Sequence, residues 1–430
     1  MIRKLLGGMG RVRVPHDVGV VTRIDYAAEA RPEDVGLAPK KVARIWHQVE
    51  QLYRTGLHPA ITLVIRRHGR IVMKRAIGCV AGNAPNDHRP MVPLQPDSPI
   101  CLFSASKAIT ALLIHKLSEL GALRLEDRVS HHLPEFAANG KEKVTIRQLL
   151  AHRAGIPSIP FDDPQPELLH DWPGMVKALC AAAPDRKQFE RQAYHALTSG
   201  FIIGELAQRV SGRSLREMLR EWIAEPLGCK VLDYGLAPEL RPLAPPNVCT
   251  GPRPFWPITV YAHRIMGVPF ERAVEMSNHD AFLSTVVPAG NIFATAEEAS
   301  RVFQMLLDQG RWNGRQVMRA DTVAEAIRPI GPIALDGMLR VPLRFSAGFM
   351  LGENPFGLYG PGCKDAFGHL GFVSVLTWAD PRRDMVVALL TTGKSVSPTG
   401  VTRLARLLGA INGGLPVLGE GERPAVAAAQ

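Results

Sequence analysis

The stretch FSASKAIT, Phe103 to Thr110, opens an apolar run that reads as the start of a helix, and it puts two serines and one lysine at the first turn. Ser104 lies three residues before Lys107, so at a helix start the hydroxyl and the amine share a face. Ser106 is two from Ser104 and points elsewhere. Ser104 also falls where a helix leaves backbone N–H groups unpaired and where its positive dipole end lies. An oxyanion formed on a substrate there is stabilised, so position and pairing select Ser104 over Ser106.

Ala108, Ile109, Ala111, Leu112 and Leu113 make this helix largely buried. Free lysine has a pKa of about 10.4, so a base working near pH 7 needs a drop of roughly 3 units, about 4 kcal/mol. Burial supplies shifts of that order. Alternatively, Lys107 stays charged and lowers the cost of ionising the serine or a third group. The spacing leaves both roles open. A capping serine beside a snorkelling lysine also satisfies Ser-x-x-Lys alone, so the assignment rests on the rest of the chain.

Upstream, residues 1–36 read as an irregular arm, basic at Arg3, Lys4, Arg11 and Arg13 and without the apolar core of a signal peptide. Val42, Ile45, Trp46, Val49, Leu52 and Tyr53 follow helical spacing. AITLVIRRHGRIVMKRAIG then reads as a hairpin turning at His68-Gly69. The nucleophile helix is expected to run from Ser106 to Leu120 and to end at Gly121.

Downstream, residues 122–235 are mostly helical in pattern, with one clear piece from Gly200 to Val210. Seven prolines between Pro238 and Pro257, with Phe255 and Trp256, predict a long loop within residues 236–270 that walls a pocket. Thr295-x-x-Glu298 is a capping box. GFVSVLTWAD and MVVALLTT read as strands joined at Pro381-Arg382-Arg383. A helix over Val401–Ile411 and a loose tail over 413–430 close the chain. Strands at both ends with helices between predict an α+β catalytic domain over residues 37–412. It has one antiparallel sheet built from both chain ends, flanked by helices and carrying an inserted helical subdomain.

The 430 residues, 46% hydrophobic and 21% charged, suit one large domain or two moderate ones. Six scattered cysteines form no Cys-x-x-Cys pair, and no apolar run reaches the roughly 18 residues of a membrane span. A cytoplasmic protein with reduced thiols is the expectation. The net charge of +11 comes from dispersed arginines without interleaved aromatics, a solvated basic surface rather than a nucleic-acid footprint. There is no Gly-x-Ser-x-Gly, as an α/β-hydrolase needs, and no His-Glu-x-x-His; His131-His132 lacks helical ligand spacing. No metal or cofactor is expected.

Two more segments join the constellation. In AYHALTSGFIIGELAQRVSGRSL, Tyr194 precedes a helix with a Gly200/Gly204 pair, and a tyrosine oxygen beside a lysine can shuttle protons. In FGHLGFVSVLTW, His369-Leu370-Gly371 leads into a strand, where a glycine admits a substrate carbonyl and a following N–H completes an oxyanion hole. With VTIRQLLAHRAGIP and the order of all these boxes, the chain resembles the serine β-lactamase-like superfamily over roughly residues 40–412. That superfamily holds class C β-lactamases, DD-peptidases and family VIII carboxylesterases. The resemblance implies Ser104 as nucleophile, Lys107 as its partner and Tyr194 as the second member of the base pair. It implies an oxyanion hole from the N–H groups of Ser104 and Phe372. Substrate contacts are expected, from the residues themselves, at His369, Gly371, His195 and Trp256.

The chain departs from the penicillin-recognising pattern. Tyr194-His195-Ala196 stands for Tyr-x-Asn and His369-Leu370-Gly371 for Lys-Thr-Gly, so the asparagine amide, lysine ammonium and threonine hydroxyl are missing. A site without those polar partners discriminates poorly for a β-lactam. The reading moves to carboxylic esters with short acyl chains, cleaved through a Ser104 acyl-enzyme. Transfer of the acyl group to an alcohol, weak β-lactam or D-amino-acid peptide hydrolysis, and a catalytically silent binding protein are the alternatives. The partner is a small-molecule ester.

Overall fold

The computed structural model describes residues 9–161, 165–185, 187, 189–254, 256 and 258–419. Strand β1 (Thr22–Ile24) and helix α1 (Pro39–Tyr53) lead into the hairpin β2 (Ala60–Arg67) and β3 (Arg70–Ala81). His68 and Gly69 both take positive φ, 52° and 72°, the geometry that a two-residue hairpin turn needs to match strand twist. A 3-10 turn (Phe103–Ala105) runs straight into α2 (Ser106–Glu119). The helical region includes α3 (Thr198–Ser211). The proline-rich insertion is followed by α4 (Ile258–Met266) and α5 (Phe270–Met276). Then come β4 (Ile292–Ala294), α6 (Ala296–Leu307), β5 (Met350–Leu351), β6 (Phe367–Leu370), β7 (Leu376–Asp380), β8 (Met385–Thr391) and α7 (Pro398–Gly414).

The central sheet has the order β1-β3-β2-β8-β7-β6-β5, with the two-residue strand Val92–Pro93 beside β3. All its pairs are antiparallel. The two chain ends meet where β8 pairs β2, from Met385 opposite Arg67 to Thr391 opposite Ile61. Every residue of β2 and β8 is buried, because helices cover both faces. Ile61, Leu63, Ile65, Val387 and Leu389 face α1 and α7. Val64, Val386, Ala388 and Leu390 face α2 and α6. Helix α2 is buried from Ser106 through His115, as expected of a helix apolar all round.

Three expectations need correcting. The N-terminal arm is not wholly irregular: Thr22–Ile24 pair with β3 at the sheet edge, and Val18 and Val21 are buried. The C-terminal segment packs further than the pattern suggested, since α7 reaches Gly414 and Leu415 and Leu418 are buried. The proline-rich stretch holds a 3-10 helix, Pro238–Leu243, and its Val248–Cys249 pairs in parallel with Gly393–Lys394. Arg3, Lys4, Phe255, Pro257 and the tail after Gly419 lie outside the described residues. No helix among the described residues is long and apolar enough to cross a membrane.

Candidate active site

Ser104 sits in the 3-10 turn ahead of α2, and the i to i+3 spacing brings Lys107 Nζ 3.1 Å from its Oγ. Lys107 Nζ also donates to the carbonyls of Ala196 (2.6 Å) and Ala289 (3.0 Å). No carboxylate pairs with it among the described residues, and burial alone holds its pKa well below the usual lysine range.

The Ala289 carbonyl reaches the lysine because position 200 has no side chain. A Cβ at Gly200 would stand 2.6 Å from the Ala289 Cβ and 2.7 Å from its nitrogen. Thr110 ties the same segment to α2 by donating to the Pro288 carbonyl at 2.7 Å.

Tyr194 enters from the segment before α3. Its N–H donates to Asp336 Oδ1 at 3.1 Å, and its ring packs 4.8 Å from His152. Lys107 Nζ lies 4.9 Å from the Tyr194 ring centre. The Tyr194 hydroxyl is hydrogen-bonded with Ser104, which favours ionisation, but burial outweighs this and raises its pKa above the ordinary tyrosine value. The group is a neutral phenol at neutral pH. Ser104, Lys107 and Tyr194 thus converge as the motif spacing predicts.

Ser106 has a different occupation: fully buried, its Oγ accepts the Ile292 N–H at 3.0 Å and pins β4 to α2.

The third wall is the end of β6. Gly371 donates to the Val375 carbonyl at 2.7 Å, and a Cβ on it would meet the Leu102 carbonyl at 2.4 Å. Only glycine lets this strand end come so close to the turn that carries Ser104. Among the described residues no acceptor faces the Phe372 N–H. Non-glycine residues in the left-handed region flank both amides of the expected oxyanion hole: Phe103 (φ 48°) precedes Ser104 and Val373 (φ 68°) follows Phe372. Such strain, about 1–3 kcal/mol each, persists only where surroundings over-determine it. Here the Phe103 and Phe372 rings lie edge to face, 5.4 Å apart.

Lys394 braces that pair. It is fully buried, 4.5 Å from the Phe103 ring centre, and donates to the carbonyls of Thr391 (2.9 Å) and Phe372 (3.3 Å). Burial pulls its pKa down to about 7.

The remaining predicted contacts are placed elsewhere. His195 is fully buried and accepts the Ile156 N–H at Nε2 (3.1 Å), while its backbone N–H donates to His152 Nδ1 (3.2 Å). His369 is buried behind Tyr194 with Nδ1 against the Leu370 carbonyl at 2.7 Å. Burial drops both imidazoles to about 3, so both are neutral. Neither lines the cavity beside Ser104, whereas Leu370, Gly371 and Phe372 do. Trp256 is 77% exposed and is also absent from that wall. The insertion does wall the cavity, but through Ile265, Met266 and Phe270 of the helices that follow. Sequence reasoning missed His152, Asp336 and Lys394. It also missed the Ala196 and Ala289 carbonyls, because a backbone acceptor leaves no residue-type signal.

The beta-lactamase family model matches residues 49–410. The chain belongs to the beta-lactamase family. Within the family it is similar to the esterase/beta-lactamase LipL of Mycobacterium tuberculosis, 31% identical over 334 residues, 75% of this chain and 76% of that one. Its fold is similar to a penicillin-binding protein homologue from Caulobacter crescentus, with TM-score 0.76 and 28% identity over 88% of this chain and 99% of that one. It is similar as well to a family VIII carboxylesterase, with TM-score 0.73 and 26% identity over 87% and 98% of the two chains. The fold and the family's serine-hydrolase chemistry are therefore those the sequence implied.

Proposed function

We propose that the protein is a carboxylesterase that works through a Ser104 acyl-enzyme. The observation that carries this reading is the hydrogen bonding of Lys107. Two carbonyls, at 2.6 and 3.0 Å, take two N–H bonds of a neutral amine, and its lone pair is left for the Ser104 hydroxyl at 3.1 Å. A buried lysine without a carboxylate is disposed to be neutral and to act as a base.

In the proposed cycle Lys107 takes the Ser104 proton as Oγ bonds to the ester carbonyl carbon. The N–H groups of Ser104 and Phe372 hold the oxyanion. On collapse the carbon–oxygen bond to the alcohol breaks. The leaving alkoxide takes a proton from Tyr194, which recovers one from Lys107. Water then attacks the acyl carbon by the reverse relay and frees Ser104. An alcohol in place of water gives acyl transfer by the same steps.

The β-lactam reading has one specific support, the double name of the Mycobacterium tuberculosis relative. Against it, the cavity's described lining has no charged side chain, and Ala196 and Leu370 stand where an amide and a hydroxyl are wanted. The reaction itself needs only the nucleophile, the relay and the oxyanion hole, so short-chain p-nitrophenyl esters suffice to test it. Wild-type turnover abolished by Ser104→Ala is expected. Retained turnover in Ser104→Ala overturns the proposal.

A further inference from the structure

The cavity at Ser104 has a volume of about 380 Å³. Its only polar side chains among the described residues are Ser104, Tyr194, Gln165 and Ser277. The first two are the proposed machinery. Ser277 is satisfied by the Val274 carbonyl at 2.7 Å, and Gln165 Oε1 accepts from Arg272 at 3.1 Å. The rest of the wall is aliphatic or aromatic, drawn from α3 (Phe201), α4 (Ile265, Met266), α5 (Phe270, Met276) and the segment before β4 (Phe282). The protein carries a net charge of +11, yet among the described residues none of the charge reaches this space.

Taking about 30 Å³ for each methylene-sized group, the share of a water molecule in the liquid, the cavity holds roughly a dozen such groups, of which the ester group and the start of the alcohol take about four. An acetyl or butyryl group leaves most of it unfilled, and a charged acid or a sugar finds no polar partner to replace lost hydration. The leaving oxygen has to face Tyr194 to collect its proton, so we assign the acyl group to the wall where the Phe103 ring lies 6.4 Å from Phe282 and 5.4 Å from Phe372. We infer that the acyl group this enzyme is shaped for is an uncharged, apolar chain of medium length, about eight carbons, seated between α3, α4 and α5. This rests on the ester-hydrolase reading above and specifies its substrate class.

The test is kcat/KM across p-nitrophenyl esters from acetate to palmitate, below their micelle concentrations, beside a series of acetates with lengthening alcohols. Each buried methylene is expected to raise efficiency by up to about fourfold, so the acyl series climbs from acetate, peaks near octanoate and falls toward palmitate. The alcohol series stays nearly flat. Ala273→Phe, which fills the cavity from α5, is expected to move the optimum to shorter chains. Met276→Ala, which enlarges the cavity, is expected to move it to longer ones, and it decides the matter if Ala273→Phe does not fold. A best substrate at acetate or butyrate, a flat acyl series, or a climb confined to the alcohol series overturns the inference. Labelling of Ser104 by a fluorophosphonate separates the two levels. Labelled enzyme with the wrong chain profile refutes the chain assignment alone, while no labelling and no turnover at any length refutes the hydrolase reading itself.

Discussion

Replacing Gly200 by alanine is expected to disable the site from a position that touches neither substrate nor nucleophile. The new methyl would start 2.6 Å from the Ala289 Cβ and 2.7 Å from the Ala289 nitrogen. Carbon atoms rest at about 3.5–4.0 Å, so one side must yield by roughly 1 Å. Helix α3 is held by buried Phe201, Ile202, Leu206 and Ala207, so the Pro288–Ala289 segment moves. That movement pulls the Ala289 carbonyl from Lys107 Nζ, now 3.0 Å away, and leaves a buried N–H without its acceptor. Overpacking of this kind costs about 1–3 kcal/mol of stability. A displacement of about 1 Å at a catalytic group costs on the order of 10²-fold in rate. Ester kcat is therefore expected to fall by one to two powers of ten, roughly, with KM little changed. Denaturant unfolding on the same preparation gives the stability loss. Full activity in Gly200→Ala, with the fold intact, would refute the claim that the Ala289 carbonyl holds Lys107 Nζ in place beside Ser104.

Further tests address neighbouring parts of the site. Ser106→Ala removes the acceptor of the Ile292 N–H, so it is expected to cost about 1–3 kcal/mol of stability while most ester turnover survives; a dead Ser106→Ala contradicts the assigned register. Lys394 has a folded pKa of about 7 against 10.5 unfolded. The unfolded chain therefore binds more protons between those values, and stability rises as pH rises from about 7 toward 10. Lys394→Met is expected to flatten that rise, by roughly 5 kcal/mol at most, in unfolding measured from pH 6 to 10; an unaltered slope contradicts it. Nitrocefin lacks at least two charge-assisted contacts here, at roughly 1.5–3 kcal/mol each. Its kcat/KM is expected to trail that of the best p-nitrophenyl ester by roughly 10²- to 10⁴-fold, and comparable efficiencies would restore the β-lactamase reading.

The sequence made the hairpin legible because His68-Gly69 sits between two β-rich runs. It made the two-ended sheet legible because strand patterns occur only near the termini. Ser104, Lys107 and Tyr194 were readable for a similar reason: serine, lysine and tyrosine are residue types suited to acyl transfer, and i to i+3 spacing is local. The errors share one physical cause. His195, His369 and Trp256 were placed from neighbours in sequence, whereas which way a side chain faces is decided by packing. His195 turned inward to Ile156 and His369 to the back of Tyr194. The strand at Thr22–Ile24 is only three residues long and pairs with residues 75–77, so no local period announces it. Lys394 was passed over because a lysine at a strand end reads as solvated, and only the tertiary fold buries it between Phe103 and Phe372.

The most direct measurement traps the covalent intermediate. The protein is mixed with p-nitrophenyl octanoate, quenched in acid within the first turnovers, digested and mapped by mass spectrometry. An octanoyl group on Ser104, present in wild type and in Ser106→Ala and lost in Ser104→Ala, is the predicted result. Ester turnover with the acyl group on another residue, or on none at any quench time while Ser104→Ala stays active, would contradict the account.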